Sequence, residues 1–137
     1  MTISAYIVNL LKNYGGIEID TNHVSDGSDQ YGLFKSASRD IKDFTDSSYQ
    51  ITEYYNFLAR QSAVSRSERK EADEWLEDLA YWIDDFPYNY SFPPLDKKRE
   101  VVGLSITGSP YPMEADDKEA TYQILLSITY IREREEL

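Results

Sequence analysis

Between Ala72 and Phe86 the apolar residues fall on one face of a helix. Ala72, Trp75, Leu76, Leu79, Trp82, Ile83 and Phe86 recur at steps of three and four, while Glu71, Asp73, Glu74, Glu77 and Asp78 lie mostly off that stripe. Ser65 and Glu68 make an S-x-x-E capping box at its start, and Pro87 is expected to stop it. A stripe that carries both tryptophans of the chain needs a large apolar surface to lie against. The end of the chain supplies one. Tyr122, Ile124, Leu126, Ile128 and Tyr130 alternate with Thr121, Gln123, Ser127 and Thr129, the two-residue period of a strand facing a core.

Upstream, Ile3, Ile7, Leu10, Leu11 and Tyr14 predict a first helix over Ile3 to Tyr14, capped by Thr2 or Ser4 and ended by Gly15-Gly16. Lys12 is its only basic residue, so it reads as a core helix and not a membrane-surface one. Ile17 and Ile19 open a strand, and Asp20 to Ser28 is turn-rich. Tyr31, Leu33 and Lys35 alternate with Gly32, Phe34 and Ser36 as a short strand. A hairpin follows, with arms Arg39 to Phe44 and Tyr49 to Arg60 around the turn Asp46-Ser47-Ser48. In its longer arm Tyr49, Ile51, Tyr55, Phe57 and Ala59 share one face, and Thr52, Tyr54, Asn56 and Arg60 the other. After the second helix, Tyr88 to Asp96 reads as a crossover stiffened by Pro93-Pro94, Val102, Leu104 and Ile106 as one face of a strand, and Gly108 to Lys118 as a loop. The tail from about 132 to 137 is charged and expected to fray. Without a linker or repeat, residues 1–137 read as one α+β domain. Its sheet of about four to five strands, mixed or mostly antiparallel, is covered by two helices.

The chemistry-bearing residue types are sparse. There is no cysteine, which excludes disulfides and thiolate metal sites. The one histidine, His23, stands in a turn with no carboxylate or nucleophile near it in sequence. Gly103 to Gly108 is G-x-S-x-x-G, one residue too long for a nucleophile elbow, and no helix follows, so Ser105 reads as a strand residue. Asp20-Thr21-Asn22 begins like a calcium loop, but Val24 breaks the pattern. Asp84-Asp85 and Asp116-Asp117 are neighbours that do not share a face. The expectation is therefore no catalytic set, no metal and no cofactor. Twenty-five acids against 14 bases give a net charge of −11, which repels nucleic-acid phosphate despite the short run Lys97-Lys98-Arg99. No apolar run approaches the ~18 residues of a membrane span, and the first residues do not read as a signal peptide. Twelve tyrosines suit surfaces that are apolar at one end and wet at the other.

The order of elements resembles the small tail-terminator family of long-tailed bacteriophages, often labelled minor capsid proteins. The residues that carry the likeness are the helix end Trp82-Ile83, the loop residues Pro94-Leu95 and the strand end Thr107-Gly108. The aromatic-acidic segment Tyr111 to Asp117, the strand Tyr122 to Tyr130, and the turn Asp46-Ser47-Ser48 before Tyr49 to Phe57 add to it. The family commonly has Gly-Asn where this chain has Asn89 to Phe92, and Gly where Ser47 stands. The resemblance implies a subunit of a homo-oligomeric, hexameric ring at the head-proximal end of the virion tail, assembled in the bacterial cytoplasm. Such a ring stops tube polymerisation, binds the major tail tube protein and the head connector, and meets DNA only as passing cargo. A closed ring needs heterologous contacts whose rotation closes. Asp46, Ser47, Tyr54, Tyr88, Tyr90, Phe92, Tyr111, Asp116 and Asp117 are the expected contacts. The alternatives are a connector or head-completion protein, a small carboxylate hydrolase, and a generic binding domain.

Overall fold

The helical stripe and the alternating strands meet across one apolar layer. The computed structural model describes residues 1–25, 29–62, 64–115 and 119–134. Among them are two helices, α1 (Ile3–Leu11) and α2 (Arg66–Asn89), and five strands: β1 (Ile19–Thr21), β2 (Gln30–Asp43), β3 (Ser48–Ser62), β4 (Arg99–Ala115) and β5 (Glu119–Glu133). The strands form one sheet in the order β1-β2-β3-β5-β4, with β1 parallel to β2 and every other pair antiparallel. The fold is a single compact α+β domain with a five-stranded mixed sheet.

Both helices pack on the same face. α1 sits by β1 and β2, and α2 lies chiefly over β4 and touches β3. Ile7, Leu11, Leu33, Phe57, Leu76, Leu79, Ile83, Ile124 and Ile128 make the centre of the shared core. The Thr2 hydroxyl caps α1 by accepting from the Ala5 N–H at 3.1 Å. Its stripe ends three residues earlier than Tyr14, in a turn that leads to Gly15 and Gly16 at φ +70° and +66°. Tyr14 then leaves the helix axis and joins an aromatic run. Tyr31, Trp75, Tyr14, Trp82, Phe86 and Phe92 follow each other at centroid distances of 5.4 to 5.7 Å. Both tryptophans are therefore half-buried at the rim of the core and not at its centre.

Several expectations change. The short strand at Tyr31 and the arm at Arg39 are one continuous strand, β2, interrupted by an irregularity between Lys35 and Arg39. Pro87 does not stop α2, which runs on to Asn89 with Tyr90 donating to the Phe86 carbonyl at 2.9 Å. A proline in the last turn forfeits one hydrogen bond, and the contacts of Phe86 with Tyr90 and Phe92 hold the turn closed. The segment from Gly108 is strand as far as Ala115. Pro110 and Pro112 are tolerated because β4 is an edge strand, paired only to β5. Further back, a bulge between Val101 and Gly103 shifts the alternation. Val101 and Leu104 point inward and Val102 is exposed, against the face read for it. The tail is ordered further than expected. Arg132 and Glu133 belong to β5, and Arg134 pairs with Asp43 at 2.7 Å.

Gly32 marks the tightest approach in the sheet. A Cβ there lies 2.3 Å from the His23 carbonyl oxygen and 3.0 Å from its carbon, both backbone atoms that cannot rotate away. Gly32→Ala should destabilise the domain by about 1–3 kcal/mol, the usual range for overpacking, read as a lower urea midpoint at unchanged slope.

Candidate interaction surface

The end of α2 presents two exposed aromatic residues, Tyr88 and Tyr90. The chain leaves the helix at Tyr90 and is stiffened by Pro93 and Pro94, and the Tyr6 hydroxyl anchors it by donating to the Pro93 carbonyl at 2.7 Å. Burial pushes the Tyr6 pKa up to about 12. This anchoring leaves Tyr88 89% and Tyr90 57% exposed, with Phe92 half-buried beneath. Between the crossover and the start of β4 runs an open groove of about 660 Å³, lined by Pro87, Tyr90, Phe92, Leu95, Val101 and Val102. Large apolar side chains held rigid in water around a groove are the usual mark of a binding surface. Tyr88 itself is helical, not part of the crossover loop.

The second surface is the sheet face that carries no helix among the described residues. Cross-strand hydroxyl contacts tie its strands together, Thr52 to Thr129 at 3.0 Å and Ser105 to Ser127 at 3.1 Å. Ser105 is thus the strand residue that its spacing suggested. Tyr111 donates to Gln123 Oε1 at 2.6 Å, and Tyr54 donates to Asp40. The Asp40 bond raises the Tyr54 pKa. Tyr111 lies in β4, not in a loop. The turn residues Asp46 and Ser47 stand at a third place, the β2–β3 hairpin. Ser47 adopts φ +74°, the conformation for which a glycine was expected, and Asp46 Oδ1 accepts from the Ser48 N–H at 3.0 Å. Hydrogen bonds from the Ser48 hydroxyl and backbone hold the Asp46 carboxyl below its usual range. Asp116 and Asp117 lie outside the described residues. The expected contacts are therefore spread over three regions, with only Tyr88, Tyr90 and Phe92 brought into one cluster.

A third feature went unread in the sequence. Below the start of α1 the inward face of the sheet continues past the helices. There Glu53, 5% exposed, interrupts the apolar row Ile51, Tyr55, Phe57, Ala59. Lys35 Nζ reaches its Oε1 at 2.9 Å, and the Tyr130 hydroxyl donates to its Oε2 at 2.6 Å. Burial, and then the Glu53 bond, drive the Tyr130 pKa far up. The signal available beforehand was the carboxylate at an inward position of a period-two row.

Among the described residues no group of three or more His, Cys, Asp or Glu side chains is placed to hold a metal ion. His23 is exposed and meets the sheet through its backbone carbonyl. Among the same residues no helix is long and apolar enough to cross a membrane. No protein-family model and no curated protein matches the chain.

Proposed function

We propose that the protein is a tail terminator of a long-tailed bacteriophage: a subunit of a ring that caps the head-proximal end of the tail tube and joins it to the head connector. The observation that carries this reading is the rigid aromatic cluster Tyr88, Tyr90 and Phe92 beside the free edge of β4. It adds to the sequence resemblance, whose implied α+β subunit agrees with the fold. Tube capping is an assembly task. It calls for preorganised anchors around a closed ring, where each subunit's contact raises the avidity of the whole. A net charge of −11 suits a ring through which DNA slides without adhering.

The test is electron microscopy of particles produced without this protein, with pull-down of tail tube subunits by the purified chain. Overlong tails and tube capture support the proposal. Tails of normal length with heads that leak DNA point to a connector instead. The variant Tyr88→Ser/Tyr90→Ser should weaken tube association by ~30-fold or more, equivalent to about 2 kcal/mol of lost hot-spot contact, while Tyr88→Ser alone, which leaves the Phe86–Tyr90 contact in place, keeps thermal stability within about 0.5 kcal/mol.

A further inference from the structure

The two outer strands of the sheet that are not β1 partners throughout, β2 and β4, are each shielded over part of their length. β1 pairs with β2 at Tyr31, Gly32 and Leu33, and beyond it Asn22 Oδ1 accepts from the Lys35 N–H at 3.3 Å. On β4, Asp84 Oδ1 accepts from the Ile106 N–H at 2.9 Å, and Pro110 and Pro112 carry no N–H. Toward the β2–β3 hairpin these shields end. Among the described residues, 39–43 of β2 and 99–104 of β4 have a strand on one side only.

The two open stretches stand at one level of the sheet and run in opposite directions. Asp43, Tyr49, Arg132 and Arg99 share one row across the four strands; Lys42, Gln50, Ile131 and Glu100 share the next; Ile41, Ile51, Tyr130 and Val101 share the third. Backbone phase matches as well. Phe44 N–H donates to the Ser48 carbonyl, so Asp43 and Ile41 turn their own N–H and C=O away from β3, to the open side. Glu133 N–H donates to the Lys98 carbonyl, so Arg99 and Val101 turn theirs away from β5. Set β4 of one copy beside β2 of another with the rows level, and the outward groups meet each other. Lys42 then faces Glu100, Asp43 faces Arg99, and Ile41, 47% exposed, gains Val101 as a neighbour. A slip of one residue sets Asp43 against Glu100 or Lys42 against Arg99 and puts the backbone groups out of phase.

We infer that a second copy of this chain pairs here, β4 of one subunit adding antiparallel to β2 of the next, so that the sheet continues from copy to copy. The contact deepens the ring reading above and rests on it for closure: rotation about an axis along the strands keeps the rows level and joins unlike edges, as a ring requires. Asp43 and Arg99 already hold Arg134 and Asp96 at 2.7 Å, so Lys42 with Glu100 is the new charge pair. Beside the same stretch of β4 lies the groove lined by Tyr90 and Val102.

Sedimentation equilibrium of the purified full chain should show self-association. Lys42→Glu and Glu100→Lys, both at exposed positions, should each weaken it about tenfold, and Lys42→Glu/Glu100→Lys together should restore it, which simple destabilisation would not do. Ile41→Pro removes an outward N–H but no bond of the subunit's own ladder, and should abolish association with the circular dichroism of the fold retained. The chain has no cysteine, so Lys42→Cys/Glu100→Cys should give a disulfide ladder between copies under mild oxidant. Within one copy those positions are three strand spacings apart, about 14 Å, too far to bridge. Asp40→Cys/Glu100→Cys, two residues out of register, should cross-link several-fold less. A chain that is monomeric at about 1 mM and forms no cross-link overturns the inference, as do charge reversals without loss and rescue. Pairing in this register by a chain whose absence leaves tail length unchanged keeps the contact and overturns the tail reading. Tail capping that Ile41→Pro leaves intact does the reverse.

Discussion

Phe57→Ala should cost about 3–5 kcal/mol, enough to leave a domain of ordinary stability largely unfolded at moderate urea. Phe57 is fully buried on β3. Its cross-strand partners are Leu33 on β2 and Ile124 on β5, each also fully buried. Its ring stacks on Tyr31 at 6.0 Å and 15° between planes. The domain has one core layer between one sheet face and two helices, so a void at Phe57 borders rigid strands on both sides and cannot collapse cheaply. Urea unfolding followed by tryptophan fluorescence measures the loss, since Trp75 and Trp82 lie at the rim of that core. A parallel Tyr88→Ala, on the 89% exposed residue, should stay within about 0.5 kcal/mol. Equal effects at the two positions would show that the core is not where the fold places it.

Alkali should unfold the protein over a narrow window above pH 10. Burial raises the pKa values of Tyr6, Tyr14, Tyr31, Tyr55, Tyr122 and Tyr130 in the folded state. Unfolded tyrosines release their protons near pH 10, while the folded chain keeps them until each raised value is reached, about 12 for Tyr6. Over that interval the unfolded state binds fewer protons, so stability falls as pH rises, and below pH 10 the same groups contribute in full. Lys35 acts in the same direction. Its hydrogen bond to Glu53 raises its pKa, so that contribution is also present at neutral pH and lost upward through the folded value. The urea midpoint should be flat from pH 7 to 9.5 and drop steeply between pH 10 and 12, in step with tyrosinate absorbance. A midpoint independent of pH through 11.5 would contradict the burial of these rings.

The parts of this fold that could be read in the sequence are those whose period is unbroken. The stripe of α2 and the alternation of β5 each follow one rule over many residues, and their partners had to exist. What was misread sits where one residue type argues locally against a tertiary arrangement. Pro87 is a helix breaker in isolation, yet it costs little in a last turn packed by Phe86, Tyr90 and Phe92. Pro110 and Pro112 suggest a loop, but an edge strand needs only one row of hydrogen bonds. Val102 was assigned to the wrong face because a bulge adds one residue and reverses the parity before it. The aromatic cluster at Tyr88 to Phe92 was legible as apolar residues left over beside prolines. The pairing of Glu53 with Lys35 and Tyr130 was not, because the three come from distant segments and meet only once the sheet is formed.

The place of β5 in the sheet has a consequence for synthesis. Among the described residues it is the last of seven elements in chain order, yet it lies between β3 and β4 and bonds to both along their lengths. Until it leaves the ribosome, β3 and β4 have an empty slot between them, and α2 has only part of a floor to cover. Folding must therefore wait for this segment and close long chain separations at once, a slow step by topology alone. A nascent chain stalled before Tyr122 exposes two unpaired strand edges and both tryptophans, and is a natural client for chaperones.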